Sequence, residues 1–554
     1  MAEPSDKGSS VLKQFEKLKA IRAPLDQEYR DAYNYTSPKL GAGFGQDEID
    51  GIAAAQSAKA KQAQLYDSTA TDAVRLLSSS VLSSLTPPGV RWFDLEPPLL
   101  ETSELDQDGK EWLADSAARI HTMIHASNYD SEAFDFITHQ MIAGMAGLYV
   151  ELKNEKFHFE TWPLNHLYCQ ETLNEGYIDS VYRAHKLTAM EAVNEFGLEN
   201  LPSNIQDVYK NDPYSSKTFR FVTAIRPRLK GGKQSEGKTK KNLPWESLYV
   251  AECGTIVKES GFNEMPVIVP RWLRIPDTDY AIGPVSDALP DIKSLNKVRE
   301  NMLLNMDMHI TGMFKVKDDG VLNPNTIKFG ARRTITVADM DSIQPLQSGG
   351  DIEFAINQVG SLQAAVRKML LADQLGPTDK VVATAAEMHA RAAQVRQILG
   401  PIFARIQSEF LKHLVARCFG LTARANLLPP VPQSISNGSG AFEVQYRSPL
   451  ARSQKMQELE AIDQMTTRLQ GIAQMKPEIM DYINFDAIVR EYGDLLAVNP
   501  ELMNDEAAVK KIRYNRDKAQ KEQAAAAERV ATAEAQAKAP PMPANPVGEL
   551  ELMA

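Results

Sequence analysis

Hydrophobic residues recur every three to four positions in several long segments of the chain, a spacing that predicts amphipathic helices. Such helices are predicted over residues 10–33, 68–85, 109–126 and 131–147. Pro24 interrupts the first of them and marks a candidate break, because proline lacks the amide that a helix interior needs. The second helix is expected to end at Pro87-Pro88-Gly89 for the same reason.

Between residues 148 and 285 the pattern changes to alternation, which is typical of half-buried strands. The alternating segments are LYVELKN, KFHFETW, TFRFVTAIRPRL, ESLYVAECG and PVIVPRWLRI. Together with the preceding helices, these strands predict a mixed layer of helices and sheet.

The second half of the chain is predicted to be mostly helical. Helical periodicity returns over 285–308 and 351–372, and the segments GMFKV and RTITV between them predict short strands among turn residues. A short polar loop follows the second of these helices. The strongest helical pattern of the chain then runs over about 384–424.

This long helix opens with Thr384-Ala-Ala-Glu387, a capping box. Gly400-Pro401 in its middle predicts a bend, because Pro401 removes the hydrogen bond to the carbonyl of Gln397. Beyond it, AFEVQYRSPLA predicts a strand that leads into a helix, helices fill most of 450–538, and 539–554 is predicted to be disordered. The fold class is therefore α+β and mainly helical.

Composition narrows the class of protein. A chain of 554 residues exceeds one compact core, and 43% hydrophobic with 24% charged residues is ordinary for a soluble globular protein. Collagen-like, disulfide-scaffold and wholly disordered chains are thereby excluded. Three widely spaced cysteines predict reduced thiols, and neither a secretion signal nor a membrane-length apolar run is recognised. We therefore expect a soluble cytoplasmic product.

Residues 232–239, Gly-Lys-Gln-Ser-Glu-Gly-Lys-Thr, formally match the G-x-x-x-x-G-K-[ST] pattern of phosphate-binding loops. Such a loop lies between a strand and a helix whose positive end faces the phosphates. Here Pro244 leads instead into another strand pattern. We interpret the segment as a solvated hairpin tip and expect no nucleotide binding.

The remaining candidates for catalysis are weak. His121 and His125 share a face of a predicted helix but lack the glutamate of a zinc protease, and Ser78 lacks a nucleophile elbow. These patterns predict no enzyme, no metal and no cofactor. Lys380 is an ordinary loop lysine by itself, and it gains interest only if several copies of its loop face one another.

Four ordered blocks of sequence resemble one family. They are YDSTATDAVRLLSSSVLSSLTPPGVRWFDL (66–95), PVIVPRWLRIPDTDYAIGPVSDALPDIKSLNKV (266–298), TAAEMHARAAQVRQILGPIFARIQSEFL (384–411) and QYRSPLARSQK (445–455). On these four blocks the chain resembles, over about residues 10–500, the portals, or head-to-tail connecting proteins, of short-tailed bacteriophages. It departs from the family in loop lengths around 228–244 and in its C-terminal extension.

The resemblance implies a dodecameric ring around a central DNA channel, with wing, stem, clip and crown regions. The implied regions are 1–284 (wing), 285–308 (first stem helix), 309–350 (clip), 351–372 (second stem helix), 373–383 (tunnel loop), 384–450 (kinked wing helix and return strand), 451–538 (crown, with a candidate helical barrel) and 539–554 (disordered tail).

The resemblance also implies where functional residues lie. The tunnel loop would bring Asp373, Gln374, Gly376, Pro377, Thr378, Asp379 and Lys380 to the channel. Stem candidates are Lys293, Lys297, Arg299 and Lys368, for which intersubunit ion pairing is an equal alternative to DNA contact. Clip candidates for partner binding are Lys315, Lys317, Arg332 and Arg333, which could equally be solvated, and Gly400 and Pro401 would mark the bend of the wing helix.

The charge agrees with a conduit that lets DNA slide. The net charge of the chain is −11, so a ring of twelve carries 12 × −11, about −132, which repels the duplex. Tight neutralisation of phosphates would instead hold DNA in place. The resemblance implies as partners other copies of the chain, double-stranded DNA, the terminase large subunit, the tail adaptor, and the major capsid and scaffolding proteins, with no membrane. It implies as location the capsid vertex, after assembly in the host cytoplasm.

Two other classes of function are weighed against the portal. A packaging ATPase would require residues 232–239 to bind phosphate. Another virion protein of the neck, or an ejection protein, would also be part of the phage particle. The order of stem helix, clip, stem helix and kinked helix favours the portal over both.

Overall fold

The computed structural model describes residues 5–41, 44, 58–89, 91–96, 107–230, 233–235, 237, 239, 241–311, 314–316, 343–345, 352–375, 400–432, 443–446, 462–468, 484–496 and 506–537. Within them the fold is α+β and mainly helical, as the sequence predicts.

The elements up to residue 282 alternate between helix and strand. They are α1 (Asp6–Thr36), α2 (Thr69–Leu85), β1 (Phe93–Glu96), α3 (Gln107–His125), α4 (Tyr129–Ala143), β2 (Gly147–Lys153), β3 (Lys156–Trp162), β4 (Leu167–Gln170), β5 (Ser180–Thr188), α5 (Ala189–Phe196), α6 (Ser203–Asn211), β6 (Thr218–Pro227), β7 (Leu229–Lys230), β8 (Lys233–Gln234), β9 (Trp245–Ala251), β10 (Ile256–Phe262), β11 (Val267–Ile268), β12 (Leu273–Arg274) and β13 (Ala281–Ile282).

Helices dominate after residue 282. The elements are α7 (Pro284–Thr311), β14 (Phe314–Val316), β15 (Ile343–Pro345), α8 (Ile352–Met369), α9 (Ala372–Leu375), a π-helix (Gln407–Leu411), α10 (Lys412–Arg424), β16 (Glu443–Tyr446), α11 (Phe485–Leu496) and α12 (Glu506–Ala537). Residues 400–406 and 462–468 are also helical.

Two antiparallel sheets form the β layer. One has five strands in the order β10-β9-β6-β5-β4, and the other has three in the order β11-β2-β3. β1 pairs with β16 across 350 residues of sequence, with Phe93 opposite Tyr446. The largest apolar core joins α2, α3 and α4 to these strands and to the helices around Leu295, Val366 and Leu414.

The break expected at Pro24 is wrong, because α1 runs without interruption from Asp6 to Thr36. An ion pair spans the proline, since Nε of Arg22 lies 2.7 Å from Oδ1 of Asp26. Nη1 of Arg22 also donates to the carbonyl oxygens of Leu164 and Leu167, at 2.5 and 2.6 Å. Arg22 therefore ties the turn that contains Pro24 to β4 and to the residue two positions after the proline.

Helices α5 and α6 lie within the segment that was predicted to contain strands alone. α5 begins at a capping box in which Thr188 and Glu191 satisfy each other's backbone amides. The pattern Thr-x-x-Glu was available in the sequence and could have located this helix. Both helices bury their apolar side chains, among them Phe196 and Ile205, in a small separate core.

The segment PVIVPRWLRI was predicted to be one strand, and it forms two short strands in different sheets. β11 pairs with β2, whereas β12 pairs with β13. Pro270 lies between them and has no amide to donate to a ladder, which explains the division.

The long helix predicted over 384–424 is described from residue 400 onward, where both Gly400 and Pro401 are helical. Residues 384–399 lie outside the described residues, so the bend predicted at Gly400-Pro401 stays a prediction. This helix contains one π-helical turn at Gln407–Leu411, which is wider than an α-helical turn and which the sequence did not predict.

Candidate functional site

Helices α7 and α8 pack against each other, and the chain between them contributes a two-stranded antiparallel sheet. β14 and β15 pair antiparallel, with Lys315 opposite Gln344. The first half of α7 is anchored in the core, where Ile292 and Leu295 are buried. The second half of α8 is anchored in the same core through Val366 and Leu370. The unit therefore extends from the body of the chain toward its hairpin.

The far ends of these helices expose apolar side chains, which we call the distal apolar surface. It consists of Leu303, Leu304, Met306, Met308 and Ile310 of α7 with Phe354 and Ile356 of α8. On α7 these residues alternate with the polar Asn301, Asn305 and Asp307, of which Asn301 and Asp307 are exposed. Ile310 is 81% exposed and Phe354 is 67% exposed. Exposed apolar side chains grouped in this way mark a surface that other protein covers.

Lys293, a candidate for the stem, is held within the chain. Its Nζ lies 2.5 Å from Oδ2 of Asp31 on α1, and it lies 5.9 Å from the centre of the Tyr35 ring. Asp31 precedes Lys293 by 262 residues, so no local pattern in the sequence could have identified this pair.

Of the other stem candidates, Lys297 and Lys368 are exposed and Arg299 is half-buried. Nζ of Lys297 lies 2.8 Å from Oε2 of Glu300, and the hydrogen bond from this carboxylate raises the pKa of Lys297. Nη1 of Arg299 lies 4.0 Å from Sδ of Met302. Lys368 is exposed near the end of α8. These side chains lie on the same helix pair as the distal apolar surface.

The chain changes direction where the second stem helix was expected to end. Leu371 has a φ of +57°, a backbone conformation that is uncommon outside glycine. It separates α8 from α9, in which Asp373 is exposed and Gln374 is helical. Gly376, Pro377, Thr378, Asp379 and Lys380 lie outside the described residues. So do Lys317, Arg332 and Arg333 of the clip, whereas Lys315 is in β14.

A polar cavity of about 420 Å³ lies where α7 meets α1. Asn296 of α7 borders this cavity and binds the segment before α2. Its Oδ1 accepts a hydrogen bond from the amide of Tyr66 at 2.8 Å, and its Nδ2 donates one to the carbonyl of Gln64 at 3.1 Å. Lys61 lines the same cavity, and burial with the nearby Arg30 lowers its pKa. These contacts fix the base of α7.

His121 and His125, which share a helix face, are both half-buried and lie side by side. The rings of His121 and His125 are 4.6 Å apart. Nδ1 of His125 lies 2.8 Å from Oδ1 of Asp130, and Nε2 accepts from Nε1 of Trp92 at 3.2 Å. Among the residues that the structure describes, no three His, Cys, Asp or Glu side chains are grouped to hold a metal ion.

The formal phosphate-loop motif lies between strands in the described structure. β8 begins at Lys233, inside the motif, and pairs with β7 rather than leading into a helix. The next regular element described is β9. In the described part of the chain, no helix is long and apolar enough to span a membrane.

Comparison with known proteins supplies the family. A sequence profile described as "Bacteriophage head to tail connecting protein" matches residues 9–503. The chain therefore belongs to the family of bacteriophage head to tail connecting proteins, which confirms the resemblance found in its four sequence blocks.

Two relatives match nearly end to end. The "Probable portal protein" of Bordetella phage BPP-1 is 24% identical over 545 residues, 94% of this chain and 93% of the relative. The "Portal protein" of Salmonella phage epsilon15 is 24% identical over 549 residues, 95% of this chain and 93% of the relative. A solved chain titled "Neck of empty GTA particle computed with C6 symmetry" has 11% identity and a TM-score of 0.29, covering 60% of this chain and 74% of that one, a similarity too low to define the fold.

Proposed function

We propose that this protein is the portal of a short-tailed bacteriophage, a dodecameric ring at one capsid vertex through which double-stranded DNA is packaged and ejected. Membership of the head to tail connecting family supports this role, and so do the names of both relatives. In this role it docks the terminase large subunit and later the tail adaptor, and it contacts the major capsid and scaffolding proteins.

The observation that carries the ring is the distal apolar surface. Exposed apolar patches on a soluble protein mark interfaces, and this one includes side chains from the ends of both α7 and α8. Neighbouring copies of the same helix pair would cover it from both sides. Repeated contacts of this head-to-tail kind close into a ring when the rotation between copies divides a full turn.

The remaining regions follow from this placement. α7 and α8 form the stem, and the β14–β15 hairpin begins the clip. Residues 1–284 and the helix with the return strand β16 form the wing, and residues after 450 form the crown. α12 spans Glu506–Ala537, and its described side chains from Lys510 onward are exposed, so twelve copies would supply the partners that this long helix needs.

The channel would be acidic overall with local basic guides. Residues 373–383, which begin within α9, would lie at the channel, and symmetry would convert Lys380 into a circle of lysines. Lys297, Arg299 and Lys368 line the stem or pair with acidic groups of the next subunit. The net charge of −11 per copy keeps the duplex from binding tightly as it slides.

The first experiment is a count of subunits by native mass spectrometry and electron-microscope end views. We expect rings of about twelve copies around an opening wide enough for a duplex. The variant with Leu304→Glu and Ile310→Glu should fail to form rings, because it places charges within the covered surface. Ser294→Glu, an exposed position on the same helix, should leave rings intact. Filaments or nucleotide-loaded hexamers would contradict the portal.

A further inference from the structure

The polar cavity beside α7 lies at the base of the proposed stem. It has a volume of about 420 Å³ and is bounded by α1, by the segment before α2 and by α7. Among the residues that line it, Leu65 is the one whose side chain has no polar atom. Pockets for small organic ligands are lined mainly by apolar and aromatic side chains. This lining therefore suits a single charged or polar group.

The carboxylates of the lining are already engaged by lysines. Oδ2 of Asp31 lies 2.5 Å from Nζ of Lys293, and its Oδ1 accepts from Nε2 of Gln27 at 2.8 Å. Oε2 of Glu300 lies 2.8 Å from Nζ of Lys297. Each carboxylate therefore has a cation of its own.

Lys61 adds a positive charge that these carboxylates do not balance. In the described part of the chain its Nζ forms no ion pair with a carboxylate. The nearby Arg30 donates to neutral oxygens, the carbonyl of Phe44 and Oε1 of Gln27. Burial and Arg30 lower the pKa of Lys61, against the opposing effect of Asp31. The cavity therefore has an excess of positive charge and attracts an anionic group.

The other side of α7 carries unbalanced negative charge. Asp287 is exposed and Asp291 is half-buried, and within the described residues neither carboxylate is ion-paired. Asp287 precedes Asn296 of the cavity by nine positions, about two and a half helical turns, so the two lie on opposite sides of the helix. One copy thus presents a positive cavity and a negative flank in different directions. Contacts between two different surfaces of the same molecule are the kind that close rings.

We propose that the cavity of each copy binds the Asp287 carboxylate of the neighbouring copy, close to Lys61. This contact rests on the proposed ring and specifies one of its interfaces. Complementary charges fix the register and orientation of an interface, which an apolar surface by itself does not. A small organic acid is the less favoured occupant, because the lining is polar.

Exchange of the two charges tests this contact. Lys61→Glu and Asp287→Lys, each alone, should raise the concentration at which half of the chains form rings by about tenfold or more, because like charges then face each other. The double variant restores opposite charges and should assemble within about threefold of the wild type. Analytical ultracentrifugation measures the assembled fraction.

The matched control exchanges charges elsewhere on the chain. Lys17→Glu on α1 and Asp207→Lys on α6 change exposed residues and alter the net charge equally. These variants, singly and together, should assemble within about threefold of the wild type. Ser294→Glu, on the same flank as Asp287, adds a negative charge and should not weaken assembly either.

A second measurement detects proximity without charge repulsion. The variant with Lys61→Cys and Asp287→Cys, in a chain with Cys253→Ser because Cys253 is exposed, should be linked into dimers and longer products by a short bismaleimide. Each single-cysteine variant should remain monomeric on a denaturing gel. Absence of rescue in the exchanged double variant, or of linked dimers, in a protein whose wild type forms rings would overturn the contact. Because the wild-type subunit count is measured separately, that result would leave the ring unaffected.

Discussion

Arg271 and Glu409 form a buried ion pair in which one carboxylate binds both the side chain and the backbone of the arginine. Oε2 of Glu409 accepts from the Arg271 amide at 3.0 Å and from its Nε at 3.1 Å, and Oε1 lies 3.3 Å from Nη2. Glu409 lies in the π-helix, and Arg271 lies in the linker between β11 and β12. The pair therefore fastens the helix after Pro401 to the β layer.

Loss of one partner of this pair should destabilise the protein strongly. Arg271→Met leaves the Glu409 carboxylate buried without a counter-charge, at a cost of about 3–5 kcal/mol. The double variant Arg271→Met with Glu409→Met should recover part of that loss, because Glu409 no longer carries a buried charge. Glu171, which also pairs with Arg271 at 3.4 Å, keeps only Arg274 at 3.6 Å as a counter-charge, so the recovery should be incomplete. Midpoints of urea unfolding measure both.

The matched control for this pair is Arg513→Met. Arg513 forms an ion pair with Asp486 on the surface, where solvent screens both charges. Its loss should leave the unfolding midpoint almost unchanged. A double variant no more stable than Arg271→Met would show that the buried charge is not the cause.

Stability should decrease in mild acid because of buried histidines. Burial, and secondarily the nearby His166, lowers the pKa of His139 from 6.5 to about 4. Neutral His139 therefore contributes stability that is complete above pH 6.5 and is lost as the pH falls toward 4. The loss is about 3 kcal/mol for this residue when the pH is well below 4.

Unfolding midpoints between pH 7 and pH 4 measure this effect. His139→Phe removes the titrating group, and the decrease with acid should then be shallower, whereas His158→Gln on β3 serves as the control. An unchanged acid dependence in His139→Phe would contradict the assignment. Burial lowers the pKa of His166, His185 and His413 to about 4 as well, so part of the acid sensitivity should remain.

Gly144→Ala should destabilise the turn between α4 and β2 more than backbone strain alone would. Gly144 has a φ of +81°, and a Cβ there would lie 2.2 Å from the carbonyl carbon of Ile282. Gly176 has a φ of +84°, but a Cβ there would meet no atom within 4 Å. Gly176→Ala should therefore cost about 1 kcal/mol from strain alone. Equal unfolding midpoints for the two variants would show that the clash is relieved.

Lys380→Glu should impair the filling of particles with DNA while leaving rings intact, if loop 373–383 lines the bore of the proposed ring. Reversing the charge of twelve facing side chains would increase repulsion of the phosphates. The DNA content of assembled particles measures the effect, with Lys17→Glu on α1 as the control. Unchanged filling would exclude Lys380 from the channel.

Local sequence patterns predicted most of the long elements. The helices expected over 68–85 and 109–126 are observed at Thr69–Leu85 and Gln107–His125. The helices expected over 285–308 and 351–372 are observed at Pro284–Thr311 and Ile352–Met369. These predictions succeed because the periodicity of each segment matches the face that it buries. The regions of the ring and the residues of the channel remain predictions.

Contacts between distant residues decided what local patterns could not. Helix α1 continues through Pro24, and next to the proline Arg22 binds Asp26 and two carbonyl oxygens about 140 residues away, contacts that no local pattern contains. Lys293 is paired within the chain because α1 brings Asp31 to it. Strand β16 was predicted within AFEVQYRSPLA, but its pairing with β1, about 350 residues earlier, was not.

The sequence by itself determined the fold class, the family and the order of helix, hairpin and helix, because these depend on periodicity and on four ordered blocks of residues. Only the tertiary structure decided which charges are paired, which prolines are tolerated and where the apolar surface remains uncovered. The physical reason is that pairing and burial depend on contacts between segments hundreds of residues apart. The residues of one segment do not determine which other segment will pack against it.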